Sequence, residues 1–330
     1  MMGGDTPRLA GRLDPAEMFP AGSAHIRTRY VTLPSGLTLR IAESGEPGRP
    51  VVLLVHGWGA SLYMWRAWYA SLADAGRHVI AVDLPGHGLS DKPDDRSVYR
   101  LDSLMDVLDQ LLDIERISSV DVVAQSMAGT IAIQLATRAN SRVNRAVVVN
   151  PACFGRVRLQ RFARLVSPRI VDVVLPRLVA RWIVARTHRM VYGDPSRITA
   201  RDDDEYWAPS QFPAYARAMR RLLHEFPWKR PPVAEMSARL KTLTHEMLVV
   251  LGSADALVRD ALPYVTTLRA DGAPLDVRVV SGGGHAVNEE RPEEVVEMVL
   301  GFLSEVHASD APATSQRSNS LPSRELPKRS

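Results

Sequence analysis

The sequence predicts an α/β fold: a doubly wound, mostly parallel sheet flanked by helices and interrupted by an inserted helical cap. Three observations predict it. The continuous apolar run Val51–Val55 reads as a strand buried on both faces, and Val143–Val149 as another buried strand. These runs alternate with segments of helical spacing, the order expected of a doubly wound sheet. The alternation stops over residues 153–235, where helical segments are punctuated by Pro168, Pro176, Pro195, Pro209, Pro213 and Pro227.

Residues 1–24 carry scattered proline, glycine and charge and read as a flexible lead-in. Residues 25–33 and 37–42 alternate apolar and polar around Pro34-Ser35-Gly36, the pattern of two strands and a tight turn. Val51–Val55 ends in His56-Gly57-Trp58-Gly59-Ala60-Ser61, and residues 64–73 then have helical spacing through Trp65, Trp68, Tyr69 and Leu72. His78–Val82 is the next strand, followed by Asp83-Leu84-Pro85-Gly86-His87-Gly88-Leu89-Ser90-Asp91. Residues 100–114 place Leu101, Leu104, Met105, Leu108, Leu111 and Leu112 on one helical face. A strand over 119–124 precedes Ser126, a helix over 130–136 follows it, and Val143–Val149 is a further strand. Beyond the cap come a strand at 247–251, a helix at Ala261–Ala270, a strand at 276–280 and a last helix at 292–306. Residues 308–330, rich in Ser, Pro and Arg without periodicity, are expected to be disordered. The core is thus expected over 25–152 and 236–307, with the cap over the sheet's C-terminal edge, where ligands bind in such sheets.

Composition narrows the function classes. The net charge of +4 comes almost wholly from arginine, with lysine only at 92, 229, 241 and 328, and it does not argue for nucleic acid. Cys153 is the single cysteine, so no intrachain disulfide can form, in keeping with a reducing compartment. No signal-peptide core and no apolar run of spanning length occurs, and a soluble, cytoplasmic protein is expected. Cys153 itself reads as a small buried hydrophobe.

Ser126 follows the β-branched run Val122-Val123 with small residues, Ala124 and Ala128, two before and two after it. A serine on a tight strand-to-helix turn exposes its hydroxyl beside the free N–H groups of the helix start. That placement suits a nucleophile. A hydroxyl needs a base, for which histidine is suited, and the histidine needs a carboxylate to hold its tautomer.

Five stretches carry a resemblance: His56-Gly57-Trp58-Gly59, Asp83-Leu84-Pro85-Gly86-His87-Gly88, Ala124-Gln125-Ser126-Met127-Ala128-Gly129, Leu251-Gly252-Ser253-Ala254-Asp255 and Gly284-His285. In this order the chain resembles α/β-hydrolases with a helical cap. The departure lies at Ala124 and Ala128, where the family usually has glycine. The resemblance implies a serine hydrolase with Ser126 as nucleophile, His285 as base and Asp255 as acid. It also implies that the backbone N–H groups of Trp58 and Met127 hold the oxyanion. The implied substrate is a carboxylic ester with an apolar part, and no metal or cofactor is needed. Epoxide hydrolases and haloalkane dehalogenases of this fold use an aspartate nucleophile, so Ser126 argues against both. Relatives with the same three residues also cleave thioesters, carbon–carbon bonds in ring-fission products or N-terminal proline amides. A non-catalytic ligand-binding protein on this fold is the rival from another class.

Asp260 and Asp271 are rivals of Asp255 for the acid, while Asp121 reads as a surface or strand-end residue. Some relatives carry the acid after the strand matching Val143–Val149, but Asn150 stands there. His56 and His87 read as loop braces. In the cap, Arg156, Arg158, Arg161, Arg164, Arg169, Arg177, Arg181, Arg186 and Arg189 alternate with apolar residues, and only Asp172 opposes them in that stretch. Their favoured reading is a solvated outer face over an apolar one. The sharper reading is contact with an anionic membrane surface, which pairing with Asp202-Asp203-Asp204-Glu205 would weaken.

Overall fold

The computed structural model describes residues 13–157 and 180–304. Strands β1 (Arg27–Thr32) and β2 (Thr38–Ser44) pair antiparallel, from Arg27 opposite Glu43 to Thr32 opposite Thr38. The chain continues through β3 (Val51–Val55), α1 (Tyr69–Asp74), β4 (His78–Val82), α2 (Leu101–Ile114), β5 (Val120–Gln125), α3 (Met127–Thr137) and β6 (Val143–Val149). The described inserted stretch holds β7 (Arg156–Val157), α4 (Arg181–Arg189), α5 (Ala200–Trp207), α6 (Pro213–Glu225) and α7 (Val233–Leu240). Then follow β8 (Met247–Gly252), β9 (Val258–Arg259), α8 (Ala261–Ala270), β10 (Leu275–Val280), α9 (Val287–Glu290) and α10 (Pro292–Ser304).

Eight strands form one sheet in the order β1-β2-β4-β3-β5-β6-β8-β10, parallel from β4 onwards. Alternate residues of each central strand feed two separate cores. Leu53, Val55, Val122, Ala124, Val148 and Val249 pack on one face; Val52, Leu54, Val123, Val147, Val149 and Val250 pack on the other. This is why the inner stretch of each of these strands is apolar at every position. The chain leaves β3 for β4 on one side and returns to β5 on the other. The C-terminal ends of β3 and β5 therefore flank a topological switch point, where such sheets open a crevice.

Several expectations are corrected. The helix expected over 64–73 is a 3-10 turn, Leu62–Trp65, followed by α1. Asp83 Oδ1 accepts from Leu62 N–H at the start of this turn, and Trp68 Nε1 donates to the Asn288 carbonyl between the turn and α1. Of residues 1–24, expected as a flexible lead-in, 1–12 lie outside the described residues and the stretch around Met18 and Phe19 is held. Phe19 N–H donates to Glu205, Arg40 donates to the Phe19 carbonyl, and Met18 is buried. Asp121, expected at the surface or a strand end, does lie at the start of β5, but it is buried there and accepts from Arg77 and Asn144. The expected cap boundaries at 153 and 235 both fall within structure that packs with the sheet. Cys153 and Phe154 lie in the main core, and α7 packs on α3 and α8. The disorder expected over 308–330 lies outside the described residues, as do Arg158, Arg161, Arg164, Arg169 and Arg177. Among the described residues no helix is long and apolar enough to cross a membrane.

His188 in α4 is buried, stacked on Tyr206 at 4.1 Å between ring centres. Burial lowers its pKa below the ordinary imidazole value, and does the same to His56 and His87. All three therefore bind fewer protons in the folded than in the unfolded chain as pH drops through about 6.5. Unfolded chain then binds more protons, so stability falls with acidification. Thermal midpoints measured from about pH 7.5 to about 5.5 are expected to decline, each histidine contributing at most about 1.4 kcal/mol per pH unit. His188→Gln is expected to flatten the slope; an unchanged slope would assign the acid sensitivity elsewhere.

Candidate active site

Ser126 sits on the turn between β5 and α3 with φ 53° and ψ −113°. That left-handed region is costly for any residue with a Cβ. Backbone bonds hold it there: Ser126 N–H donates to the Val149 carbonyl at 2.9 Å, and the Ser126 carbonyl accepts from Gly129 and Ala152 N–H. Ala124 and Ala128 are fully buried, their methyl groups absorbed in the core. The close approach is displaced to Gly129, where a Cβ would stand 2.7 Å from Pro151 Cβ.

The three residues expected to act together do meet. His285 Nδ1 lies 2.8 Å from Asp255 Oδ2, and its Nε2 lies 2.9 Å from Ser126 Oγ. A carboxylate only accepts, so Nδ1 carries the proton and Nε2 is left to accept from the serine hydroxyl. Asp255 is fixed in turn, because its Oδ1 accepts from Leu257 N–H at 2.8 Å and Val258 N–H at 2.9 Å. Val258 belongs to β9, which pairs antiparallel with β7, so the segment just after β6 also braces this loop. The rivals lie elsewhere: Asp260 pairs with Arg156, and Asp271 accepts from Ser237 and Lys241.

Met127 is the first residue of α3, where a helix leaves its N–H groups without intrahelical partners. The loop after β3 passes directly over the serine. A Cβ on Gly57 would stand 3.0 Å from Ser126 Cβ and overlap Gln125 Oε1, and Trp58 follows at once. The Trp58 indole donates to the Met219 carbonyl of α6 at 3.1 Å and meets Trp228 edge to face. Tyr215 OH donates to the Gly59 carbonyl. Helix α6 therefore fixes this loop, with its Tyr215 and, just beyond the helix, Trp228 beside it.

His56 braces as expected, its Nδ1 donating to the Gly57 carbonyl while Nε2 accepts from Leu84 N–H. The nearby Cys153 is buried, which pushes its thiol up to about 12. Of the cap arginines, Arg181 pairs with Asp204 and Arg189 with Asp203, so the acidic run neutralises part of the arginine face. Arg186 and Trp182 remain exposed.

Sequence reasoning missed the residues that hold the His285 loop. Asn150 Nδ2 donates to the Gly284 and His285 carbonyls, at 3.0 Å each, and its Oδ1 accepts from Gly252 N–H. Gln125 Nε2 also donates to the His285 carbonyl. Glu290, buried, accepts from Gly284 N–H at 2.8 Å. In the sequence Asn150 marks only the place where some relatives carry the acid.

Residues 52–298 match the profile of the alpha/beta hydrolase family. The chain is 29% identical over 273 residues to the dihydrolipoyllysine-residue acetyltransferase component of the acetoin cleaving system of Pseudomonas putida, covering 81% of this chain and 67% of that one. It is 27% identical over 319 residues to epoxide hydrolase A of Mycobacterium tuberculosis, covering 82% and 95%. Among solved structures it is similar to a haloalkane dehalogenase loop variant from Bradyrhizobium elkanii, at TM-score 0.70 and 24% identity, covering 88% of this chain and all of that one.

Proposed function

Because the chain belongs to the alpha/beta hydrolase family, we propose that it is a serine hydrolase that passes the acyl group of a carboxylic ester first to Ser126 and then to water. The observation that carries the proposal is the hydrogen bond of 2.9 Å between Ser126 Oγ and His285 Nε2, with Asp255 behind it. In this reading His285 takes the hydroxyl proton as Oγ attacks the acyl carbon. The resulting oxyanion is met by the N–H groups of Met127 and Trp58, each such donor worth about 3 kcal/mol to the transition state. His285 then protonates the leaving alkoxide, the carbon–oxygen bond breaks, and an acyl-serine remains. Water, deprotonated by the same Nε2, attacks that ester; the acid leaves and the proton returns to Oγ.

The names of the similar epoxide hydrolase and dehalogenase raise the question of saturated carbon as the target. The chemistry of Ser126 argues for acyl carbon. Attack by a carboxylate on an epoxide or alkyl halide gives an ester, which water can cleave. Attack by a serine hydroxyl gives an ether, which has no carbonyl for water to add to and no place for an oxyanion donor. Such an enzyme would stop after one event. An acyl-serine, by contrast, turns over. The aromatic residues Trp58, Trp228 and Tyr215 beside the Gly57 loop support an apolar group on the substrate.

The test combines a fluorophosphonate probe with p-nitrophenyl esters from acetate to dodecanoate. Labelling at Ser126 together with hydrolysis at one or more chain lengths is the expected result. Labelling without ester turnover would move the substrate to a thioester or a carbon–carbon bond. Absence of labelling in folded protein would overturn the proposal in favour of a non-catalytic binding protein.

A further inference from the structure

The loop bearing His285 is tied to the inserted segment as well as to the sheet. Glu290 stands where the two meet. Its Oε2 accepts from Gly284 N–H at 2.8 Å and Gly193 N–H at 3.0 Å, and its Oε1 accepts from Asp194 N–H at 2.7 Å. One residue further on from His285, Ala286 N–H donates to the Val191 carbonyl at 3.0 Å. The two backbones touch: a Cβ on Gly284 would overlap Gly193 N, and one on Gly193 would overlap the Gly282 carbonyl. The side chain of Glu290 is almost wholly buried.

We propose that Glu290 is a positioning residue for His285, making residues 191–194 of the inserted segment part of the mount of the base. The proposal rests on the reading of His285 as the base. A carboxylate suits the place because two acceptor oxygens face three N–H donors. A glutamine offers one oxygen and one NH2, so one set of donors must face another donor. The resulting displacement of Gly284 is passed to the adjacent His285, whose bonds to Ser126 and Asp255 have little room to lengthen. A shift of about 1 Å in such a group costs on the order of a hundredfold in rate.

The test compares Glu290→Gln with wild type by ester kinetics, by thermal melting and by the low-field proton resonance of His285 Nδ1–H in its bond to Asp255. The expected result is kcat lower by roughly 10- to 100-fold with KM changed less than about twofold, and a low-field resonance that is shifted or lost. The resonance needs no substrate. It reads the positioning even if no ester is turned over, and so separates failure of this proposal from failure of the ester reading. Gly193→Ala approaches the same contact from the inserted side, leaves Glu290 intact, and is read out in the same way should Glu290→Gln not fold. A lower melting point with unchanged kcat and an unchanged resonance would overturn the proposal and leave Glu290 a packing residue.

Discussion

Replacing Ser126 by alanine is expected to lower ester turnover by roughly a million-fold while leaving the fold intact. The size follows from the geometry. The hydroxyl is the group that His285 Nε2 faces, and without it the base has only water to activate. Residual rate would come from binding and from the oxyanion donors alone. The fold is expected to survive because the bonds that shape the turn are all backbone: Ser126 N–H to Val149, and Gly129 and Ala152 N–H to the Ser126 carbonyl. Alanine keeps the same backbone restriction, so the thermal midpoint is expected to stay within about 2 °C. Fluorophosphonate labelling should vanish with the activity. Activity retained in Ser126→Ala would show that the nucleophile lies elsewhere.

The second large effect is expected for Asp255→Asn, a loss of about 10,000-fold in kcat at neutral pH. Only one orientation of the amide is comfortable. Oδ1 accepts from Leu257 and Val258 N–H, so the asparagine oxygen is drawn to that side and its NH2 turns towards His285. An NH2 can only donate, which forces His285 Nδ1 to accept and moves the ring proton to Nε2. A protonated Nε2 then faces Ser126 Oγ and cannot take its proton. The prediction therefore concerns the tautomer more than the charge. A ring-nitrogen NMR measurement should find the proton on Nδ1 in wild type and on Nε2 in the variant. A loss of less than tenfold, or an unchanged tautomer, would reject the role given to Asp255.

Much of this was legible in the sequence wherever a local pattern sufficed. Strands β3, β4 and β6 have the bounds the sequence suggests, because burial on both faces fills them with apolar residues, His78 of β4 and Asn144 and Arg145 of β6 excepted, between turn residues at each end. Ser126, Asp255 and His285 stand out because each sits on a turn or loop just past a strand. The helix over 64–73 was not legible in detail. Its spacing is helical, but partners distant in sequence anchor it, Asp83 at Leu62 N–H and the Asn288 carbonyl at the Trp68 indole. The lead-in was misread for a related reason. Met18 and Phe19 are single apolar residues without a period, and what orders them lies far along the chain, at Arg40 and Glu205. Asn150, Gln125 and Glu290 were invisible as holders of the His285 loop. Their partners are backbone atoms, and backbone atoms carry no sequence signature.

The dihedral angles of Ser126 have a consequence of their own. A residue at φ 53° and ψ −113° is held on the order of 1–3 kcal/mol above a relaxed one, and glycine would release most of that. A lineage under selection for thermal endurance alone would drift to glycine at 126, gaining stability and shedding its hydroxyl. A serine at these two angles carries that cost in exchange for a hydroxyl, which glycine would not supply.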